Sequence, residues 1–423
     1  MRISNPLSSQ VSQLRSFGRP ARLFLIATIL DGAVYSVWWL FFNFYILGRG
    51  FDREFMGLVT TIPSVATLVL GIPFGMLSDR MGRKRAMILG VVVYVVAIAL
   101  EVTVLDPNLI LLAAFLNGAG STLYFLSQAP FMMKASTPEN RTLLFSMNFG
   151  LVTLSGAIGN LFAGQLPAFF GNLLGVPVDS ATAYQAVLLV SVAVSTLTLI
   201  PLSLIREPRA ATAYEQVPTA TKESSASVEI KAPTLVHTLT RKITLKLAFP
   251  NLLIGFGAAI LMPYMNVFFR DKFAITDQTL GILFSLSSLL TGFGTFVGPR
   301  LAEGKGGKIR AVVFTQGLSL AFLFVLGFSP IIGLTIIAFL ARGTLMNMAV
   351  PLYGAFAMEQ VGENEQATVN SVKELAWSFG WAVGPYLSGV IQDSYGFTPL
   401  FIMTGVLYGA AILLTWLFFR END

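Results

Sequence analysis

The sequence predicts an all-α membrane protein whose twelve transmembrane helices form two pseudo-symmetric six-helix bundles. Three observations carry this. Of the 423 residues, 54% are hydrophobic and only 12% charged, roughly half the charged fraction of a soluble domain. Apolar runs long enough to cross a bilayer recur along the chain. A single long polar stretch, 205–243, falls near the middle. So few charges do not cover a soluble body of this size, and the 35 Phe suit lipid-facing and interfacial positions.

Taken in order, the apolar runs place six helices at 22–47, 54–77, 84–105, 109–133, 142–169 and 183–204. Six more follow at 245–269, 277–301, 308–329, 331–357, 366–392 and 397–419. The first run starts after Arg15, Arg19 and Arg22 and continues to Leu47. That is far beyond the roughly 7–15 residues of a signal-peptide core, so it reads as an uncleaved first span. The expected organisation is an N-terminal segment (1–21), a first bundle (22–204), a linker (205–243), a second bundle (244–419) and a short tail (420–423). The linker is rich in Ala, Thr, Ser and Pro, with an amphipathic part near 234–243.

An even number of spans puts both termini on one side. The segments on that side hold 22 of the 28 Lys and Arg; the opposite loops hold Arg49, Arg53, Arg270 and Lys272, while Arg342 and Lys373 lie inside spans. The positive-inside rule therefore expects both termini and the linker in the cytoplasm, with the chain in the cytoplasmic (inner) membrane.

Laying the second half over the first at an offset of 223–225 pairs Gly32 with Gly255, Asn43 with Asn266, Gly57 with Gly281 and Gly75 with Gly298. It then pairs Ser146, Gly159, Gly164 and Gly171 with Ser371, Gly384, Gly389 and Gly396. The near-constant offset makes the halves repeats of one bundle. Glycine is what close helix crossings in lipid require.

Several functions are excluded by composition. With no Cys and a single His, His237 in the polar linker, neither thiol chemistry nor a His-ligated metal site is available. There is no nucleotide loop, metal cluster or nucleophile–base pair, so neither enzyme nor cofactor is expected. The bases sit in short loops rather than on a continuous face, which argues against nucleic acid.

Between helices 2 and 3 the chain reads Gly75-x-x-x-Asp79-Arg80-x-Gly82-Arg83-Lys84, a dense charged island between two apolar runs. This resembles the signature of the major facilitator superfamily, at the right loop of a six-plus-six chain, and the resemblance covers essentially the whole sequence. A degenerate echo, from Gly298 to Arg310, lies between helices 8 and 9. The resemblance implies that Asp79 sits against the start of helix 11 near Gln366, whose dipole favours an anion. It also implies that Arg83 pairs with Glu139 of the Pro138-Glu139-Asn140-Arg141 turn, a latch engaged when the cavity opens outward. Three departures point away from the well-marked drug-antiporter subgroup. Helix 4 carries Asn117 where the family has Arg. Helix 5 has Gly156, Gly159 and Gly164 without the antiporter proline. Gly380-x-x-x-Gly384-Pro385 appears in helix 11 instead.

Ionisable groups at mid-span cost about 2.5–3.5 kcal/mol each on insertion scales, so each asks for a reason. Asp31 in helix 1, Arg342 in helix 10 and Glu374 beside Lys373 in helix 11 stand out. Their repeat counterparts are Ile254, Asn117 and Phe149, so the shared scaffold requires none of the three charges. In the family, helices 1, 4, 7 and 10 line a central cavity. Asp31 is then the expected proton-binding carboxylate, with Arg342 as its counter-ion or as the anchor of an anionic substrate group. A structural Arg342–Glu374 pair is the bland alternative. The expected cavity wall is Tyr35, Trp38 and Asn43 on helix 1, Asn117, Tyr124 and Gln128 on helix 4, Tyr264 and Asn266 on helix 7, Asn347 and Tyr353 on helix 10, and Trp377 on helix 11. Such a wall suits an amphipathic organic molecule.

The resemblance thus implies a secondary transporter, expected as a monomer, that moves a small organic solute by alternating access. It is coupled to protons or Na+, with a lean to drug or metabolite efflux. Uptake or exchange of an organic anion, a sugar-like or a lipid-like solute is the alternative. A non-transporting sensor is more remote, because the linker is too short to form an added interaction domain.

Overall fold

The computed structural model describes residues 17–137, 140–206, 241–304 and 307–420, and these are helical almost throughout, with no strand among them. The helices of the first half are α1 (Arg19–Gly48), α2 (Arg53–Met81), α3 (Arg83–Thr103), α4 (Pro107–Ala135), α5 (Arg141–Leu174) and α6 (Ala181–Leu204). Those of the second are α7 (Lys242–Phe273), α8 (Asp277–Gly304), α9 (Lys308–Phe328), α10 (Ile332–Glu359), α11 (Glu363–Trp381 and Gly384–Tyr395) and α12 (Thr398–Phe419). All except α8 and α11 are long and apolar enough to cross a membrane by length and composition alone.

Helix starts follow from short polar residues at the cap positions. Asp52 accepts from Phe55 N at 2.7 Å, Asp106 accepts from Asn108 N and Leu109 N, and Ser180 accepts from Ala183 N at 3.2 Å. Each satisfies first-turn N–H groups that the helix itself leaves free. Gly82 and Gly307, 225 residues apart, make the tight turns before α3 and α9 with φ of 90° and 129°, a region that favours glycine.

Three helices that read as continuous runs (142–169, 245–269 and 366–392) are broken. The breaks fall at Gly164–Gln165 in α5, at the 3-10 turn Met262–Tyr264 in α7, and between Trp381 and Gly384 in α11. Pro167, Pro263 and Pro385 sit at or just after them. Proline has no N–H to give to the preceding turn, while a window of apolar residues registers no interruption. The second bundle starts at Lys242 rather than at 244, and the expected amphipathic stretch 234–243 lies outside the described residues up to 240.

The repeated glycines meet one another across the two halves. A Cβ on Gly57 of α2 would lie 2.5 Å from Pro385 O and 3.1 Å from Gly389 Cα of α11. A Cβ on Gly164 of α5 would lie 2.8 Å from Asp277 O and 3.1 Å from Gly281 Cα of α8. The two crossings are pseudo-symmetry mates, since Gly57 repeats as Gly281 and Gly164 as Gly389.

Three apolar cores follow. The largest lies at the end away from the termini and draws on both halves: Leu40, Phe41, Tyr45 and Tyr184 pack with Ile260, Tyr264, Phe268 and Phe401. At the end carrying the termini and linker the core divides. Phe24, Met132, Leu144 and Leu202 cluster in the first half, and Leu247, Ile309, Phe356 and Phe419 in the second. The molecule is therefore joined at one end and parted at the other.

Candidate functional site

Between the halves lies a cavity of about 530 Å³, within the range of small-molecule sites. Its wall comes from α1, α2, α3 and α4, with Pro263 of α7 and Trp377 and Trp381 of α11 contributed by the second half. Aromatic rings make much of it. Trp38 stacks on Phe42 with centroids 4.5 Å apart, Tyr35 and Trp39 stand 5.8 Å apart, and Trp39 meets Trp381 edge-on at 5.9 Å.

Two carboxyls face this cavity, and no Lys or Arg is among its lining residues. Asp31 accepts from Tyr94 Oη at 3.4 Å. Glu101, 1% exposed, accepts from Asn117 Nδ2 at 3.0 Å, and Ser121 Oγ donates to Asn117 Oδ1 at 3.3 Å. Neither carboxyl has a cationic partner within ion-pair distance among the described residues. Tyr124 is fully buried, lines the cavity, and leaves its hydroxyl without a partner. Asp31 was legible as a charge in mid-span. Glu101 and Tyr94 were missed: Glu101 lies four residues before the expected end of its helix, where carboxyls are unremarkable. The available signal was its spacing of seven from Tyr94, which puts both on one face of α3.

The end of the cavity away from the termini is closed by an amide pair. Asn43 Nδ2 donates to Asn266 Oδ1 at 3.0 Å and to Pro263 O at 2.7 Å. Asn266 Nδ2 donates back to Leu40 O at 2.9 Å. Asn43 repeats as Asn266 and Leu40 as Pro263, so the contact is reciprocal about the pseudo-symmetry axis. Both side chains are buried, where an amide without partners is costly. Around this clasp the halves are tied further by Arg53 to Asp271 at 2.6 Å, by Tyr386 Oη donating to Glu54 Oε1 at 3.0 Å, and by Arg270 Nη1 donating to Tyr184 Oη at 3.2 Å.

Of the expected wall, Asp31, Tyr35, Trp38, Asn43, Asn117, Tyr124 and Trp377 line the cavity; Gln128, Tyr264, Asn266, Asn347 and Tyr353 do not. Tyr264 Oη donates to Pro385 O at 3.0 Å and Tyr353 Oη to Leu247 O at 2.8 Å, each inside the second bundle. Asn347 Nδ2 donates to Gly343 O, one turn back on its own helix. Arg342 corrects the expectation most. Its guanidinium turns into the second bundle, donating to Tyr408 Oη at 3.0 Å and reaching Met262 Sδ at 2.7 Å, so it is neither the partner of Asp31 nor a cavity group. It does not pair with Glu374, which is exposed, while the adjacent Lys373 is buried with Nζ 5.4 Å from the Tyr353 ring.

The charged island lies at the parted end. Asp79, at the end of α2, pairs with Arg83 at the start of α3, and Gln366 Nε2, its expected neighbour, donates to Met358 O at 3.1 Å. Arg83 also reaches Ser78 Oγ at 2.9 Å, Lys84 donates to Ser203 O at 2.7 Å, and Arg80 is exposed. Gly75 has open space where a Cβ would go, because the halves stand apart here. Glu139 lies outside the described residues. Arg141 is half-buried, with its Nε unpartnered.

The description Major Facilitator Superfamily belongs to the family model that matches residues 24–372 and 247–423. Among curated relatives, a Multidrug resistance protein MdtG from Yersinia enterocolitica is 24% identical over 177 residues, 40% of this chain and 42% of that protein. The MdtG of Enterobacter lignolyticus is 26% identical over 174 residues, 40% and 41% of the two chains. The matched region thus spans about two-fifths of those relatives' length. Among solved structures, a bacterial homolog of the human lysosomal transporter Spinster, in an inward-facing and occupied conformation, superposes with a TM-score of 0.77. The identity is 16%, over 99% of this chain and 98% of that one. The nucleoside transporter NupG gives 0.71 at 15% identity, over 95% and 99%. With the signature loop, the twelve-helix repeat and a family match that spans nearly the whole sequence, the chain belongs to the major facilitator superfamily.

Proposed function

We propose that this protein is a secondary transporter of the cytoplasmic membrane, working as a monomer by alternating access with its termini in the cytoplasm. Its solute is a small amphipathic organic molecule, moved outward in exchange for protons. The observation that carries this reading is the cavity: two carboxyls and an aromatic wall, with no base among its lining residues. That charge complement favours organic cations and amphipaths over anions, and Trp38 and Trp39 add cation–π surface. The resistance proteins among its relatives bear multidrug names, which agrees with efflux.

Asp31 is the proton site. A carboxyl on the transport path alternates between holding a proton and holding a cation, so the two are exchanged rather than carried together. The conformation described above is then the one open to the cytoplasm. The Asn43–Asn266 clasp and the glycine crossings are the closed outer gate. Asp79 and Arg83 form the inner latch, disengaged in this state and engaged when the other end opens. The reading as an organic-anion carrier leaned on Arg342, which points away from the cavity.

The test is ethidium uptake into proteoliposomes under an imposed pH gradient, beside an imposed Na+ gradient. The pH gradient alone is expected to drive it. Drive by Na+ alone would replace the coupling ion, and no ethidium movement under either gradient would refute the transport reading.

A further inference from the structure

The two carboxyls of the cavity sit on a ruled scaffold. Helices α3 and α4 run antiparallel and touch closely, because Gly90 and Gly120 admit each other's backbone. Tyr94 of α3 faces Tyr124 of α4 with ring centroids 6.4 Å apart, and Glu101 of α3 bonds Asn117 of α4 at 3.0 Å. Both pairs obey one antiparallel register, since moving from the first to the second advances seven residues on α3 and retreats seven on α4. Two turns of helix separate the levels, roughly 10 Å at 1.5 Å per residue. Asp31 belongs to the lower level through Tyr94, and Glu101 defines the upper one. On α1, Trp38 stands seven residues beyond Asp31, so the Trp38–Phe42 stack lies beside the Glu101 level.

We propose that Glu101 is a second cation subsite of this cavity and that, together with Asp31, it selects linear organic dications over monocations. The inference rests on the reading of the cavity as an organic-cation site. Independent of the carboxyls, Tyr124 lines the cavity and its buried hydroxyl has no partner, a deficit that a polar group of a ligand would fill. Trp381, whose buried Nε1 is likewise unpartnered, lines the cavity from the opposite half. No base competes for Glu101. Its lining neighbours that titrate are Asp31, Tyr35, Tyr94 and Tyr124. Arg49 donates at 3.0 Å to Tyr45 Oη, which itself donates to Val102 O, next in the chain to Glu101, at 2.5 Å. The occupant this geometry fits is a molecule with cationic centres about 10 Å apart. Its apolar spacer lies along Ile98 and Trp38, and its far end meets an aromatic stack and a carboxyl together.

The experiment measures binding to the purified full-length chain by quenching of Trp fluorescence, which Trp38 reports directly. The probes are bis-trimethylammonium alkanes with short, intermediate and long polymethylene spacers, and single-headed alkyl-trimethylammonium ions of matched length. The wild type is expected to prefer the intermediate dication by about tenfold over the matched monocation. Glu101→Gln keeps an acceptor for Asn117 and removes the charge, so it is expected to erase that preference by weakening the dication about tenfold toward the matched monocation. Two results overturn the proposal: a flat spacer series in the wild type, which needs no variant, or a preference that survives Glu101→Gln. Monocation binding with a flat series defeats only the dication inference, whereas binding of neither class by the wild type defeats the cation reading of the cavity.

Discussion

The first half of the molecule places two carboxyls, Asp31 and Glu101, on the cavity; the second buries two bases, Arg342 and Lys373, and directs both into its own bundle. The contrast is sharpest where the repeat aligns the halves. Asn117 and Arg342 occupy the same repeat position on α4 and α10. Asn117 holds the Glu101 carboxyl on the cavity, whereas Arg342 reaches inward to Tyr408. Asp31 repeats as Ile254. The glycines and Asn43/Asn266, which must match for the halves to cross, are kept in both; the charges, which the crossings do not need, are not. Skeleton and chemistry therefore separate cleanly: the repeat builds the crossings and one half supplies the cavity's acids.

The largest effect should come from breaking the symmetric part. Gly389→Leu puts a side chain against Arg53 O at the α2–α11 crossing, where overpacking costs about 1–3 kcal/mol. It should force the joined end apart. Because the chain has no Cys, a single Cys at Trp377 reports this without background, as faster labelling from the side opposite the termini. Gly281→Leu, at the mated crossing, should do the same, and unequal outcomes would mean that the halves do not share the closing work.

Next come the clasp variants. Asn43→Ala removes donors to Asn266 and Pro263 and leaves buried acceptors unmet, at about 1–3 kcal/mol. Asn266→Ala should match it, and the double variant should cost less than the sum because the residues share one network. Denaturation in detergent measures all three.

Arg342→Met should be nearly neutral for stability, or stabilising by about 1 kcal/mol, because it replaces a buried charge that has no acidic partner among the described residues by an apolar group of similar length. A loss of several kcal/mol would show that the guanidinium is better compensated than its contacts with Tyr408 and Met262 imply. The smallest effect on stability belongs to Asp79→Asn. Its pair with Arg83 is local and largely exposed, worth under about 1 kcal/mol. Transport should nonetheless slow while ligand affinity holds; equal losses of both would contradict a latch.

Much of the fold was legible because bilayer thickness imprints itself on run length, and because repeated glycines keep their spacing. Asn43 and Asn266 emerged from the repeat as counterparts, though their contact across the axis did not, since an offset says which positions correspond and nothing about which of them touch. The breaks at 164–165, 262–264 and 381–384 were hidden in apolar composition. Side-chain azimuth was the chief loss. A soluble helix shows its buried face by a polar stripe opposite, but α3 and α10 are apolar nearly all round. Nothing local therefore said that Glu101 faces the cavity or that Arg342 faces Tyr408. Rotation of a helix about its own axis moved one residue into the site and the other out.

The most direct test is ethidium uptake driven by a pH gradient, compared in proteoliposomes of wild type, Asp31→Asn and Arg342→Met at equal protein density. Asp31→Asn should fall to the level of protein-free liposomes while Arg342→Met keeps most of the wild-type rate, since only the first removes a charge from the cavity. Uptake that survives Asp31→Asn, or that Arg342→Met abolishes as completely, would contradict the assignment of the coupling chemistry to the first half.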